Sequence, residues 1–135
     1  MDKQKVIEAL NRALAEELAA LTQYMWQHVM GRGIASPAIR DELKAFSIQE
    51  MKHAEVLAER IDHFGGVPTT KPLDIKVGGD LKKMIQYDLD LENSAIKMYK
   101  EYIELAKEDP VTHKMLIDIL ADEENHADEL ESWLE

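Results

Sequence analysis

Four stretches of this chain repeat apolar residues in steps of three and four, and a glutamate interrupts each stripe near its middle. Such spacing keeps one face of an α-helix apolar. The first stripe is Ile7, Leu10, Leu14, Glu17, Leu21 and Tyr24; the second is Ile39, Leu43, Phe46, Glu50, His53 and Leu57. The third is Ile85, Leu89, Glu92, Ile96, Tyr99 and Ile103; the fourth is Leu116, Ile119, Glu123, His126, Leu130 and Trp133. On the second and fourth, a histidine follows the glutamate three residues later. If the four helices turn these stripes toward one another, they bury four carboxylates and two imidazoles at one level.

Punctuation supports four helices. The first runs from about Lys3 to Met30 and stops at Gly31-Arg32-Gly33. The second opens at Ser36-Pro37, read as an N-cap followed by proline at the first helical position, and stops at Gly65-Gly66. The third begins near Asp80, after Gly78-Gly79, and the fourth at Asp109-Pro110, running nearly to Glu135. Helices of about 25–28 residues are roughly 40 Å long and must lie side by side in a chain this short. Short links make the first and second, and the third and fourth, antiparallel hairpins. The segment GGVPTTKPLDIKVGGD between the hairpins is long enough for a crossover along the bundle, and its alternating Leu73, Ile75 and Val77 suggest a brief extended strand. A weak internal repeat sets Glu17 and Glu50 against Glu92 and Glu123, with Tyr24 and Tyr99 each seven residues beyond the first glutamate of its half.

With 135 residues and 45% hydrophobic content, the chain reads as one domain, 1–135, with a real core. Having no cysteine, it has no disulfide, thiolate zinc site, iron–sulfur cluster or thiol nucleophile. The N-terminus is too polar for a secretory signal and no apolar run reaches the ~20 residues of a membrane span, so a cytoplasmic location is expected. A formal charge of −11 argues against nucleic acid and suits small cations better.

Glu-x-x-His puts both side chains on one helix face, about 4.5 Å apart along the axis. Four carboxylates buried together without counter-charge would repel at prohibitive cost. Two divalent cations offset four negative charges, and bridging glutamates hold such ions about 3.5–4 Å apart. Oxygen and imidazole donors suit iron or manganese. A single Glu-x-x-His is weak evidence, since a solvated ion pair has the same spacing. Two of them on different helices, in core slots and matched by two lone core glutamates, point to a dinuclear metal site, the known arrangement of ferritin-like di-iron bundles.

In the segments LNRALAEELAALTQY, IQEMKHAEVLAERI, DLDLENSA and LADEENHADELE, and in the crossover FGGVPTT, the chain resembles bacterioferritin over nearly its whole length. The resemblance implies an all-α, ferritin-like four-helix bundle of two antiparallel hairpins joined by a long crossover. It also implies a di-iron centre holding two iron ions per subunit on Glu17, Glu50, His53, Glu92, Glu123 and His126, with Tyr24 beside it. The expected activity is a ferroxidase that oxidises Fe²⁺ with O₂ or H₂O₂ and stores iron in a shell of 12 or 24 copies built from two-fold dimers. Met51 corresponds to the methionine by which such proteins hold haem between two subunits. One residue past Glu50, it is turned about 100° from the metal face; packing at a subunit contact is the plainer reading.

The sequence stops at Glu135, where the family has a fifth helix, which favours the smaller shell at least as much as the larger. Ala45 and Gln49 stand where some members bind iron on the inner surface, so that site is expected to be absent. Asp88, one turn before Glu92, is a candidate acceptor for a ligand histidine, with a solvated charge as the alternative. His28, His63 and His113 have no glutamate three residues before them and read as surface or packing residues; Trp26 and Tyr102 read as packing or interface residues rather than redox relays. Two other functions share the pattern: a rubrerythrin-like, peroxide-scavenging di-iron enzyme without storage, and a non-enzymatic haem- or metal-binding helical protein.

Overall fold

A computed structural model describes residues 1–135 as four helices: α1 Lys3–Met30, α2 Ser36–His63, α3 Leu81–Leu105 and α4 Pro110–Trp133. Asp2 caps α1, its carboxylate accepting from the Lys5 amide at 3.1 Å, and Asp80 caps α3 through Lys83 at 2.8 Å. Such caps satisfy amides that have no partner inside the helix. The start of α2 differs from the Ser36 cap expected above. Ala35 holds the cap position with helical angles, while Ser36 lies within the first turn and its hydroxyl donates to the Gly33 carbonyl at 2.7 Å.

The α1–α2 and α3–α4 hairpins form as the short links require, and α1 against α3 and α2 against α4 close the bundle. Arg60, near the end of α2, clamps the start of α4, donating to Thr112 Oγ1 at 2.9 Å and to Asp109 Oδ2 at 2.7 Å. Between the hairpins the crossover runs along α1. Asn11 donates to the Val67 carbonyl at 3.1 Å and accepts from the Thr69 amide at 2.8 Å. Further on, the Leu73 amide reaches the Ala15 carbonyl at 3.1 Å and the Lys76 amide reaches Gln23 Oε1 at 2.9 Å. No strand forms over Leu73, Ile75 and Val77. The alternation there lays Leu73 and Ile75 half-buried, and the Leu73 and Lys76 amides bond to α1 instead of to a partner strand.

Every residue of the four stripes is buried or half-buried. The apolar core is nevertheless not continuous. One cluster gathers Leu10, Leu14, Leu57, Ile61, Tyr99 and Leu116, and a second gathers Ala20, Tyr24, Leu43, Phe46, Ile85 and Leu130. Between them lies the layer of glutamates and histidines. No helix is long and apolar enough to cross a membrane.

Candidate metal centre

Each of the four helices delivers one glutamate to this layer, and α2 and α4 add a histidine one turn on. All six side chains are buried. Their donor atoms fall into two sets, Glu17, Glu50, His53 and Glu123, and Glu50, Glu92, Glu123 and His126, with all atoms of a set within 4.8 Å of one another. Glu50 and Glu123 belong to both. The arrangement therefore offers two adjacent cation positions, each with its own terminal glutamate and histidine, and two carboxylates placed to bridge them.

The hydrogen bonds around the layer leave its centre unpaired. Tyr99 donates to Glu17 Oε1 at 2.5 Å and Tyr24 donates to Glu92 Oε1. Glu17 Oε2, both oxygens of Glu50, Glu92 Oε2, Glu123 Oε1 and the Nδ1 atoms of His53 and His126 have no hydrogen-bond partner. Buried polar atoms are almost always satisfied, because an orphaned one costs about 1–3 kcal/mol and a charged one more. Seven such atoms gathered in the two overlapping sets fit a cation-binding centre better than a packed core.

Both imidazoles turn Nδ1 inward. His53 Nδ1 lies 3.4–3.6 Å from oxygens of Glu17, Glu50 and Glu123, and His126 Nδ1 lies 3.2–3.6 Å from oxygens of Glu50, Glu92 and Glu123. The outer nitrogens are held: His53 Nε2 donates to Asp122 Oδ2 at 2.8 Å and His126 Nε2 donates to Gln49 Oε1 at 2.5 Å. A proton fixed on Nε2 leaves Nδ1 free to ligate. His126 is further braced by Phe46, stacked on it at 4.2 Å, with Trp133 stacked beyond.

Without cations the layer must share protons. Burial, with repulsion from Glu17 and Glu92, pushes Glu50 well above the usual carboxylate range; burial, with Glu17 and Glu50, does the same to Glu123. Burial alone would raise Glu17 too, but the close approach of Glu50 and His53 outweighs it and leaves Glu17 lowered. Burial alone would lower both histidines. The carboxylates around His53, Glu123 foremost, and Glu92 beside His126 outweigh it, so both are raised. Burial also lifts Tyr24 and Tyr99 far above their ordinary value, keeping both phenols protonated as donors.

The structure brings together all six residues that the stripes singled out. It does not bring Asp88 to either histidine. Asp88 Oδ1 accepts from Gln23 Nε2 at 2.8 Å instead, because the outer imidazole nitrogens point across the α2–α4 side and not along α3. The residues that do hold the imidazoles, Asp122 and Gln49, each immediately precede a glutamate of the layer. His28 Nδ1 donates to the Arg40 carbonyl at 2.7 Å, while His63 is exposed; neither joins the layer. Met51, turned about 100° around α2 from Glu50, is 54% exposed, with the exposed Ile48 one turn before it. A groove of about 590 Å³ between α2 and α4, walled by Lys52, Val56, Asp118 and Asp122, reaches His53 from the surface.

Comparison with known proteins identifies the family. The model of the ferritin-like domain matches residues 7–135. The chain belongs to the ferritin-like family, among the bacterioferritins. A bacterioferritin of Desulfovibrio desulfuricans is 39% identical over 127 residues, covering 92% of this chain and 71% of the relative. One from Streptomyces coelicolor is 37% identical over 134 residues, covering 97% and 80%. A solved ferritin-like, diiron-carboxylate protein from Bacillus anthracis superposes with a TM-score of 0.95 at 34% identity, covering 100% of this chain and 99% of the other.

Proposed function

We propose that the protein is a ferroxidase of the bacterioferritin type, acting in the cytoplasm and oxidising Fe²⁺ held in pairs at the centre of each subunit. The observation that carries this reading is the pair of ligand sets sharing Glu50 and Glu123, with their inward atoms unpaired. Glu17 and His53 would hold one Fe²⁺ and Glu92 and His126 the other, while Glu50 and Glu123 bridge them. Two Fe²⁺ give up one electron each. That pair, with two protons, reduces O₂ to H₂O₂, or H₂O₂ to two waters. The carboxylates favour the ferric product through charge, and Tyr24 and Tyr99 keep the two terminal glutamates aimed inward. Ferric product would be stored within a closed shell of 12 or 24 copies. On the outer surface of α2, the exposed Met51 is where a haem would be held between two copies related by a two-fold axis, one sulfur from each.

Anaerobic titration with Fe²⁺ tests the site. Two ions per chain should bind, oxidise on exposure to O₂ or H₂O₂, and fail to do so in Glu50→Ala. Unchanged oxidation in Glu17→Ala and Glu50→Ala would rule the mechanism out. Haem added to the protein should give a Soret band that Met51→Leu removes while the iron stoichiometry stays at two.

A further inference from the structure

We infer that the two metal positions are unequal by construction, with Asp122 and Gln49 as the positioning residues that set the difference. The position on His53 would bind its ion more tightly and fill first, and the position on His126 would be the exchangeable one. This inference rests on the di-iron reading above and goes beyond it.

The argument starts from the internal symmetry of the site. Glu17 and Glu92 are equivalent lone glutamates, and each accepts a hydrogen bond from a tyrosine of the other hairpin, Tyr99 and Tyr24. Glu50 and Glu123 are equivalent bridging residues, each followed three residues later by its histidine. Position 49 precedes Glu50 and position 122 precedes Glu123, so these two are equivalent as well. Each reaches across from its own helix, α2 or α4, to the histidine of the other.

Here the symmetry breaks. His53 donates to a carboxylate, Asp122, and His126 to a neutral amide, Gln49. A carboxylate acceptor draws the Nε2 proton toward itself and makes Nδ1 a stronger donor to a cation. It also adds one negative charge near that position, which an amide does not. Asp122 is 38% exposed, so solvent weakens the effect without abolishing it. Changing a partner of a ligating histidine alters metal affinity by about 10–100-fold. Because the carboxylate is partly solvated and an amide still accepts the hydrogen bond, the lower end of that range applies, about tenfold between the two positions. The surface groove between α2 and α4 is lined by both His53 and Asp122, so this pair is the one of the two that borders it.

Anaerobic Co²⁺ titration, followed by calorimetry and visible absorbance, measures this without turnover. The wild type should bind two ions in separate steps. Asp122→Asn should weaken the first step about tenfold and merge the two; Gln49→Glu should tighten the second. The double variant Asp122→Asn, Gln49→Glu keeps the net charge and should reverse the order of filling. At one equivalent of Co²⁺, anomalous scattering should then move from the His53 position to the His126 position. Two equal steps in the wild type, or an unreversed order in the double variant, would overturn the inference while leaving the di-iron reading intact. If no Co²⁺ binds that Glu50→Ala can remove, the di-iron reading itself has failed, and this inference with it.

Discussion

Asp88 is buried outside both ligand sets, with Oδ1 on Gln23 and Oδ2 without a partner. Burial is the main reason its pKa is raised from 3.8 to about 7, ahead of the opposing hydrogen bond from Gln23. A carboxylate with a raised folded-state pKa stabilises the fold fully below its unfolded value and loses that contribution as pH climbs through the folded value. For Asp88 the loss runs from about pH 4 to 7. Asp88→Asn should therefore remove part of the apoprotein's decline in stability over that window and leave the variant more stable at pH 8 by about 2 kcal/mol. Urea denaturation of both proteins at pH 4.5 and pH 8 checks this; a stability difference that does not change with pH refutes it. At this scale the sequence was legible where a residue broke a pattern. Glu17, Glu50, Glu92 and Glu123 stand out because a carboxylate in an apolar stripe needs a reason. Asp122 and Gln49 break nothing: a polar residue beside the stripe looks solvated, and only the two-fold relation between positions 49 and 122 could have flagged them. Asp88 was visible as a charge near Glu92, but its partner depends on where Gln23 on a different helix points.

Among the elements, the helices follow from local rules and the crossover does not. The stripe spacing and the glycines after Met30 fix α1 to the residue, and the aspartate caps place the start of α3. The 64–80 segment has no repeat of its own, and what orders it is α1. Two changes should expose that dependence. Asn11→Ala removes both hydrogen bonds to the crossover and should cost about 1–2 kcal/mol. Amide hydrogen exchange should speed up at residues 67–76, while the Co²⁺ stoichiometry of the centre stays at two; unchanged exchange there would mean that Asn11 is not the tether. Gly66→Ala should cost about 1–3 kcal/mol for a different reason. A Cβ at that position would lie 2.8 Å from Ile7 Cγ2 and 3.0 Å from Ile61 Cγ2, where α1, α2 and the start of the crossover meet. Thermal unfolding measures it, and a variant as stable as the wild type would show that the branched side chains can move aside. The strand suggested by Leu73, Ile75 and Val77 fails because period-two alternation says only that one side is buried. It does not say that the burying surface is another strand.

For the molecule as a whole, the polar layer divides the core, and its stability should be coupled to both metal and pH. The metal-free centre is held by protons, because Glu50, Glu123, His53 and His126 are all raised. A cation bound there must displace them, so its affinity rises as pH rises. Binding to the folded chain alone stabilises it by about 2.7 kcal/mol per site when free metal is 100 times the dissociation constant. Two filled sites should thus raise the melting temperature at pH 7.5 by on the order of 15–20 °C for a chain of this size. The gap between metal-loaded and chelator-treated protein should shrink steadily as pH falls toward 5, because the same free metal then competes with protons for the same atoms. Calorimetric titration in buffers of different ionisation enthalpy should show protons released with each Co²⁺. Glu50→Gln removes a carboxylate shared by both sets and a displaceable proton together, so it should reduce both the melting-temperature gap and the proton release. A gap that persists unchanged from pH 7.5 to pH 5, or binding without proton release, would mean that the cations sit somewhere other than between these four glutamates.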